Sequence, residues 1–201
     1  MTIVIGLTGP MGCGKSQVAH WLAELGAEVI DADALTREVM AAGRPEAAAI
    51  VRRFGPEILG PNGEIDRRRL GRLVFSDPRA LADLEAIVHP AVGSLVVARL
   101  DAARRRGAPA VVVEAIKLVE SGLAGLCDEV WLVRCTPDEQ WARLADRGLS
   151  HDELAARIAA QGDLAVRLED AADRVLDTSG PPETARRRAR AAFRAALARR
   201  P

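Results

Sequence analysis

One octapeptide near the amino terminus constrains this chain more than any other feature. Gly9-Pro10-Met11-Gly12-Cys13-Gly14-Lys15-Ser16 fits G-x-x-x-x-G-K-[ST]. It lies between an apolar run at 2–8 and a stretch at 15–25 with helical spacing (Val18, Leu22, Leu25). In a strand–loop–helix context each part has a mechanical task. Glycines let the backbone wrap with its N–H groups facing a phosphate, and the helix N-terminus adds positive potential. Lys15 brings a point charge to the β/γ oxygens, and the Ser16 hydroxyl is expected to bind Mg²⁺ directly. Gly9, Met11, Gly12, Cys13, Gly14, Lys15, Ser16 and the following Gln17 are thus expected to cradle the phosphates of a nucleoside triphosphate.

Composition sharpens the point. Lys and Arg together number 28, yet only Lys15 and Lys117 are lysine. A compact ammonium and a planar guanidinium are not interchangeable, so each lysine in so arginine-rich a chain asks for a local reason. The acidic residues also number 28, and zero net charge gives no field to steer the chain onto nucleic acid or an anionic membrane. Three cysteines (Cys13, Cys127, Cys135) are too few and too scattered for a disulfide scaffold or a cysteine zinc site. A reduced, cytoplasmic setting is therefore expected, with Cys13 read as a small residue that fits its loop. No apolar run approaching ~20 residues stands out as a membrane span. The first residues lack a basic leader and a cleavage site.

Further along, Ala27–Ile30, Ala110–Glu114, Glu129–Arg134 and Arg174–Asp177 read as strands. Helix starts are expected after Asp66, at Asp77-Pro78, at His89-Pro90 (running to Gly107), at Thr136-Pro137, at Ser150 and at Pro181. Strands alternating with helices predict an α/β fold whose five-stranded parallel sheet is covered on both faces. Ligands in such folds sit at the carboxyl ends of the strands. Those ends carry the phosphate loop, Asp31 and Asp33, Glu114 and Thr178.

A phosphate loop alone does not separate kinases from GTPases or motor ATPases. No Asn-Lys-x-Asp guanine motif is present, and three Trp, three Phe and no Tyr weigh against a nucleic-acid ATPase. A small-molecule phosphotransferase remains. The stretches Gly6-Leu7-Thr8-Gly9, Ile30-Asp31-Ala32-Asp33, Phe54-Gly55-Pro56-Glu57-Ile58-Leu59 and Leu84-Glu85-Ala86-Ile87-Val88-His89-Pro90 resemble dephospho-CoA kinases. So do Leu118-Val119-Glu120-Ser121-Gly122-Leu123 and Arg143…Arg147-Gly148-Leu149-Ser150…Arg157-Ile158-Ala159-Ala160-Gln161, in order along nearly the whole chain.

The resemblance implies one P-loop NTPase-like kinase domain over 1–201. Its core is expected at about 1–34, 107–136 and 170–201, a helical acceptor-binding region at about 35–106, and a helical lid at about 137–169. It implies ATP with Mg²⁺, and transfer of the γ-phosphoryl group to the 3′-hydroxyl of dephospho-CoA by a monomer or small homo-oligomer. Asp33 would be the base and Asp31 a water-mediated Mg²⁺ contact, though the two could divide acceptor and metal duties otherwise. Glu114 would reach Mg²⁺ through water and face the acceptor. His89 is an acceptor-binding candidate, with a helix-start hydrogen bond as its other role. Arg147 would neutralise the transferring phosphoryl group, and Arg143 would contact ATP from the lid or be an exposed helix residue.

The chain also departs from the family pattern. Ile116-Lys117-Leu118 replaces Pro-Leu-Leu, so Lys117 is expected to point into the cleft and meet a phosphate of acceptor or donor. Thr178 stands where the family usually has Asn near adenine, and Gln17 where Thr is common. Competing readings are another small-metabolite or nucleotide kinase, and a non-catalytic nucleotide-binding module.

Overall fold

The computed structural model describes residues 1–146, 154–155, 158–159, 161–162 and 164–199. The expected lid residues Arg147, Ser150 and Arg157 lie outside them. In chain order the strands are β1 (Ile3–Thr8), β2 (Ala27–Asp31), β3 (Ala110–Glu114), β4 (Glu129–Arg134) and β5 (Arg174–Asp177). The described helices are α1 (Lys15–Ala23), α2 (Ala32–Val39), α3 (Pro45–Phe54), α4 (Arg67–Phe75), α5 (Pro78–Arg105), α6 (Pro137–Ala145), α7 (Leu164–Glu169) and α8 (Pro182–Ala198). The chain divides into two compact units, residues 1–31 with 99–201, and residues 32–98.

The first unit holds the whole sheet, ordered β2-β3-β1-β4-β5 with every pairing parallel. Its strands read as apolar runs because both faces are covered. On one face Ile5, Leu7, Val112, Trp131 and Val133 pack with Val18 and Leu22 of α1 and Ala189 and Phe193 of α8. On another, Leu132 packs with Leu164 and Leu168 of α7. Gly6 sits mid-strand because a Cβ there would lie 2.6 Å from Leu118 Cδ2 and 2.8 Å from Cys127 Sγ. Leu118 in the turn after β3 and Cys127, two residues before β4, press directly onto the backbone of β1.

The second unit is helical. The Asp66 carboxylate accepts from the amides of Arg68 (2.9 Å) and Arg69 (3.2 Å), which starts α4 where the sequence predicts. The Asp77 carboxylate does the same for Arg79 N–H (2.9 Å) at the head of α5.

Two expectations need correction here. His89-Pro90 does not open a helix: α5 runs unbroken from Pro78 to Arg105 with Pro90 inside it. The ring removes one backbone donor, but burial of Val88, Val92, Val96, Leu100 and Ala103, a stripe at helical spacing, outweighs that loss. His89 therefore makes no helix-start hydrogen bond. The same helix is long and apolar enough by length and composition to cross a membrane, with a mean hydropathy of 1.5 over 18 residues. Val88, Val92 and Val96 are buried along one face, and 22% of the apolar stretch is buried in all.

Candidate active site

The phosphate loop leaves β1 and enters α1 at the carboxyl edge of the sheet, and its glycines are needed for steric reasons. Gly9 has φ 137° and a Cβ there would lie 2.0 Å from the Val133 carbonyl oxygen, so β4 backbone occupies that space. Gly14 is left-handed (φ 83°) at the N-cap of α1. Lys15 is buried, and its Nζ donates to the carbonyls of Gly9 (2.9 Å) and Pro10 (3.1 Å). The ammonium is thus held inside the loop it serves.

Ser16, one residue on, is exposed at the loop mouth. Its hydroxyl donates to Glu114 Oε1 at 2.6 Å. Glu114 ends β3, and the β2–β3 register sets Asp31 directly beside it. Parallel pairing, not sequence proximity, joins Ser16, Glu114 and Asp31 at one edge. A hydroxyl and carboxylates are hard oxygen donors, the set Mg²⁺ takes when it also binds phosphate oxygens and water. The residues present therefore fit that ion.

On the far side of the loop, Thr178 follows β5 and is buried. Its hydroxyl donates to the Cys13 carbonyl (2.8 Å), with the Arg134 carbonyl at 3.1 Å as second acceptor. Arg143 of α6 donates to Thr178 Oγ1 (3.1 Å) and to its carbonyl (2.8 Å), and pairs with Glu139 at 3.1 Å. Thr178 is accordingly a hub that ties the loop, β4 and α6 together. Beside it opens a cavity of about 370 Å³ lined by Gly14, Gln17, Trp21, Arg143, Thr178 and Glu183. It is open at the loop's flank, bounded by an indole and a guanidinium, and its size suits a nucleobase.

Cys13 departs from expectation. Its Sγ is bonded to Cys135 Sγ, across 122 residues of sequence. Parallel pairing of β1 with β4 brings the residue after β4 beside the loop that leaves β1, with a Cα–Cα separation of 5.2 Å, inside the span a disulfide requires. Cys127 is the remaining thiol, and burial, with the charge of Asp128 added, pushes its pKa up to about 12.

Lys117 is exposed in the turn after β3, where its carbonyl accepts from Ser121 N–H (2.9 Å). Asp33 lies in the first turn of α2, exposed, and His89 is half-buried within α5; both belong to the helical unit. Trp21, Glu183, Gln140 and Cys135 were not legible as site residues, since each reaches the loop or its cavity only through packing of separate elements. Gln161 is flagged only by its place in the Arg157…Gln161 stretch.

The family model for dephospho-CoA kinase matches residues 3–183. This chain belongs to the dephospho-CoA kinase family. It is 46% identical over 194 residues to a dephospho-CoA kinase of Symbiobacterium thermophilum, covering 96% of this chain and 81% of that one. It is 50% identical over 160 residues to a dephospho-CoA kinase of Geobacter metallireducens, 79% of this chain and 80% of the relative. Among solved structures, TT1252 from Thermus thermophilus is similar with TM-score 0.81 and 38% identity, covering 96% of this chain and 97% of that one. Family membership, phosphate loop and parallel sheet agree on a kinase that uses ATP.

Proposed function

We infer that this chain transfers the γ-phosphoryl group of ATP to the 3′-hydroxyl of dephospho-CoA, the final step of CoA formation. The observation that carries this reading is the Ser16–Glu114 hydrogen bond beside a fully formed phosphate loop, in a chain matched by the family over residues 3–183. Phosphoryl transfer asks mainly for positioning and charge neutralisation. Loop amides and Lys15 hold the β- and γ-phosphates, while Ser16, with Glu114 and Asp31 through water, would hold Mg²⁺. When bound, that ion neutralises charge on the phosphate oxygens.

Asp33, two residues beyond β2, takes the proton of the attacking ribose hydroxyl. The oxygen–phosphorus bond to the acceptor forms as the bond to the β–γ bridging oxygen breaks, and ADP leaves. Arg147 neutralises the transferring group, with Arg143 and Thr178 on the nucleoside side of ATP. The helical unit, with His89, provides acceptor recognition, and Lys117 meets a phosphate. With soluble, charged substrates the enzyme works in the cytoplasm, where thiol reductants would keep Cys13 and Cys135 reduced, so the bond between them belongs to the oxidised protein.

The test is ADP release from Mg²⁺-ATP with dephospho-CoA beside adenosine, nucleoside monophosphates and small sugar acids as acceptors. Release should depend on dephospho-CoA, with CoA appearing in equal amount. Release on a different acceptor would overturn the substrate, and ATP binding without turnover on any acceptor would overturn the catalytic reading. Asp33→Asn should lower kcat by about 10²- to 10⁴-fold. Full activity in that variant would remove Asp33 as the base.

A further inference from the structure

The outer arm of the phosphate loop is gripped by two carboxamides that the chemistry above does not use. Met11 N–H donates to Gln161 Oε1 at 3.0 Å, and the Met11 carbonyl accepts from Gln140 Nε2 at 2.7 Å. Both backbone groups of one loop residue are thus satisfied by side chains 129 and 150 residues away. Gln140 is fixed in turn, since it lies in the first turns of α6 and its own N–H donates to the Thr136 carbonyl (2.9 Å). The next loop residue closes the grip: a Cβ on Gly12 would lie 2.8 Å from Leu144 Cγ and 3.2 Å from Gln140 Cγ.

A neutral side chain matters at this point. A glutamine oxygen accepts from a loop amide without adding charge, and its NH₂ group supplies donors. A carboxylate could accept the same bond from Met11 N–H, but it would set a negative charge on a loop built to receive phosphate. Gln140 must be a donor, because its target is a carbonyl. The chemical type at each position is therefore constrained by opposite requirements.

We propose that Gln140 and Gln161 are positioning residues of phosphoryl transfer: they clamp the Met11 peptide groups and so hold the loop in its ATP-binding form. The inference rests on the kinase reading above, and its primary readout, binding of Mg²⁺-ATP without acceptor, does not depend on which acceptor is used. Gln161→Ala and Gln140→Met each remove one neutral hydrogen bond, and each should weaken ATP binding by about fivefold. Gln161→Glu keeps the acceptor but adds charge, and should weaken ATP binding by about tenfold or more at pH 8. Lowering the pH to 5 should recover part of that loss as the new carboxyl takes up its proton. KM for dephospho-CoA should stay unchanged in all three.

A merely structural role would lower the melting temperature and damage both substrates in step, with no pH recovery in Gln161→Glu. That pattern would overturn the proposal, and so would wild-type ATP affinity in folded Gln161→Glu. If the variants lose ATP affinity as stated while wild-type protein ignores dephospho-CoA, the acceptor assignment fails and the clamp stands.

Discussion

Reduction of the Cys13–Cys135 bond should destabilise this protein by an amount set largely by how much chain the bond closes. The two residues are 122 apart, and cross-linking a loop of that length removes denatured-state entropy equivalent to about 5 kcal/mol at 25 °C. Ordinary proteins are stable by only about 5–15 kcal/mol, so the bond is a large fraction of the total. For a chain of this size each kcal/mol moves the melting temperature by about 2–4 °C, which gives a drop of about 10–20 °C. The assay is a calorimetric or circular-dichroism melt of protein purified in air, before and after dithiothreitol, with thiols counted under denaturing conditions. The air-purified protein should show one thiol, Cys127, and the reduced protein three. Cys135→Ser should melt like the reduced wild type and ignore dithiothreitol. Three thiols in protein purified in air would refute the bond. One thiol with a melting temperature unmoved by reduction would refute the loop-entropy argument.

Other consequences can be checked independently. Thr178→Val removes the hydroxyl that donates to the Cys13 carbonyl and accepts from Arg143, which keeps the Thr178 carbonyl and Glu139 as partners; the change should cost about 1–3 kcal/mol and raise KM for ATP more than KM for dephospho-CoA. The Glu129 carboxylate accepts from Arg174 (2.7 Å) and from the Trp131 indole (2.7 Å), and Arg174 above all holds its pKa below the usual 4.5. Its stabilisation is present above that value and lost as pH falls through the lowered one, so Glu129→Gln should flatten the acid limb of a stability–pH curve. Cys127, with its pKa near 12 against an ordinary 9.0, holds about a thousandfold less thiolate at pH 8 than an open cysteine, and iodoacetamide should label the native protein correspondingly slowly. Phe193→Ala, at a fully buried position between α8 and the sheet, should cost about 3–5 kcal/mol in chemical denaturation.

What could be read from the amino-acid order was what is local. β3, β4 and β5 end where their apolar runs end, and the asparate caps of α4 and α5 act on amides two or three residues ahead. The phosphate loop was legible for the same reason, since eight contiguous residues carry both its bends and its chemistry. Pro90 shows the limit of local rules: its preference for a helix start was overridden by a stripe of valines whose burial the residue's neighbours do not encode. The site's supports lie beyond that limit. Cys13 with Cys135, Thr178 with the Cys13 carbonyl, Ser16 with Glu114, and Met11 with Gln140 and Gln161 all join residues about a hundred or more positions apart. Spacing along the chain says nothing about such pairs. They exist because parallel pairing in the order β2-β3-β1-β4-β5 brings the carboxyl ends of separate strands, and the helices after them, around one loop.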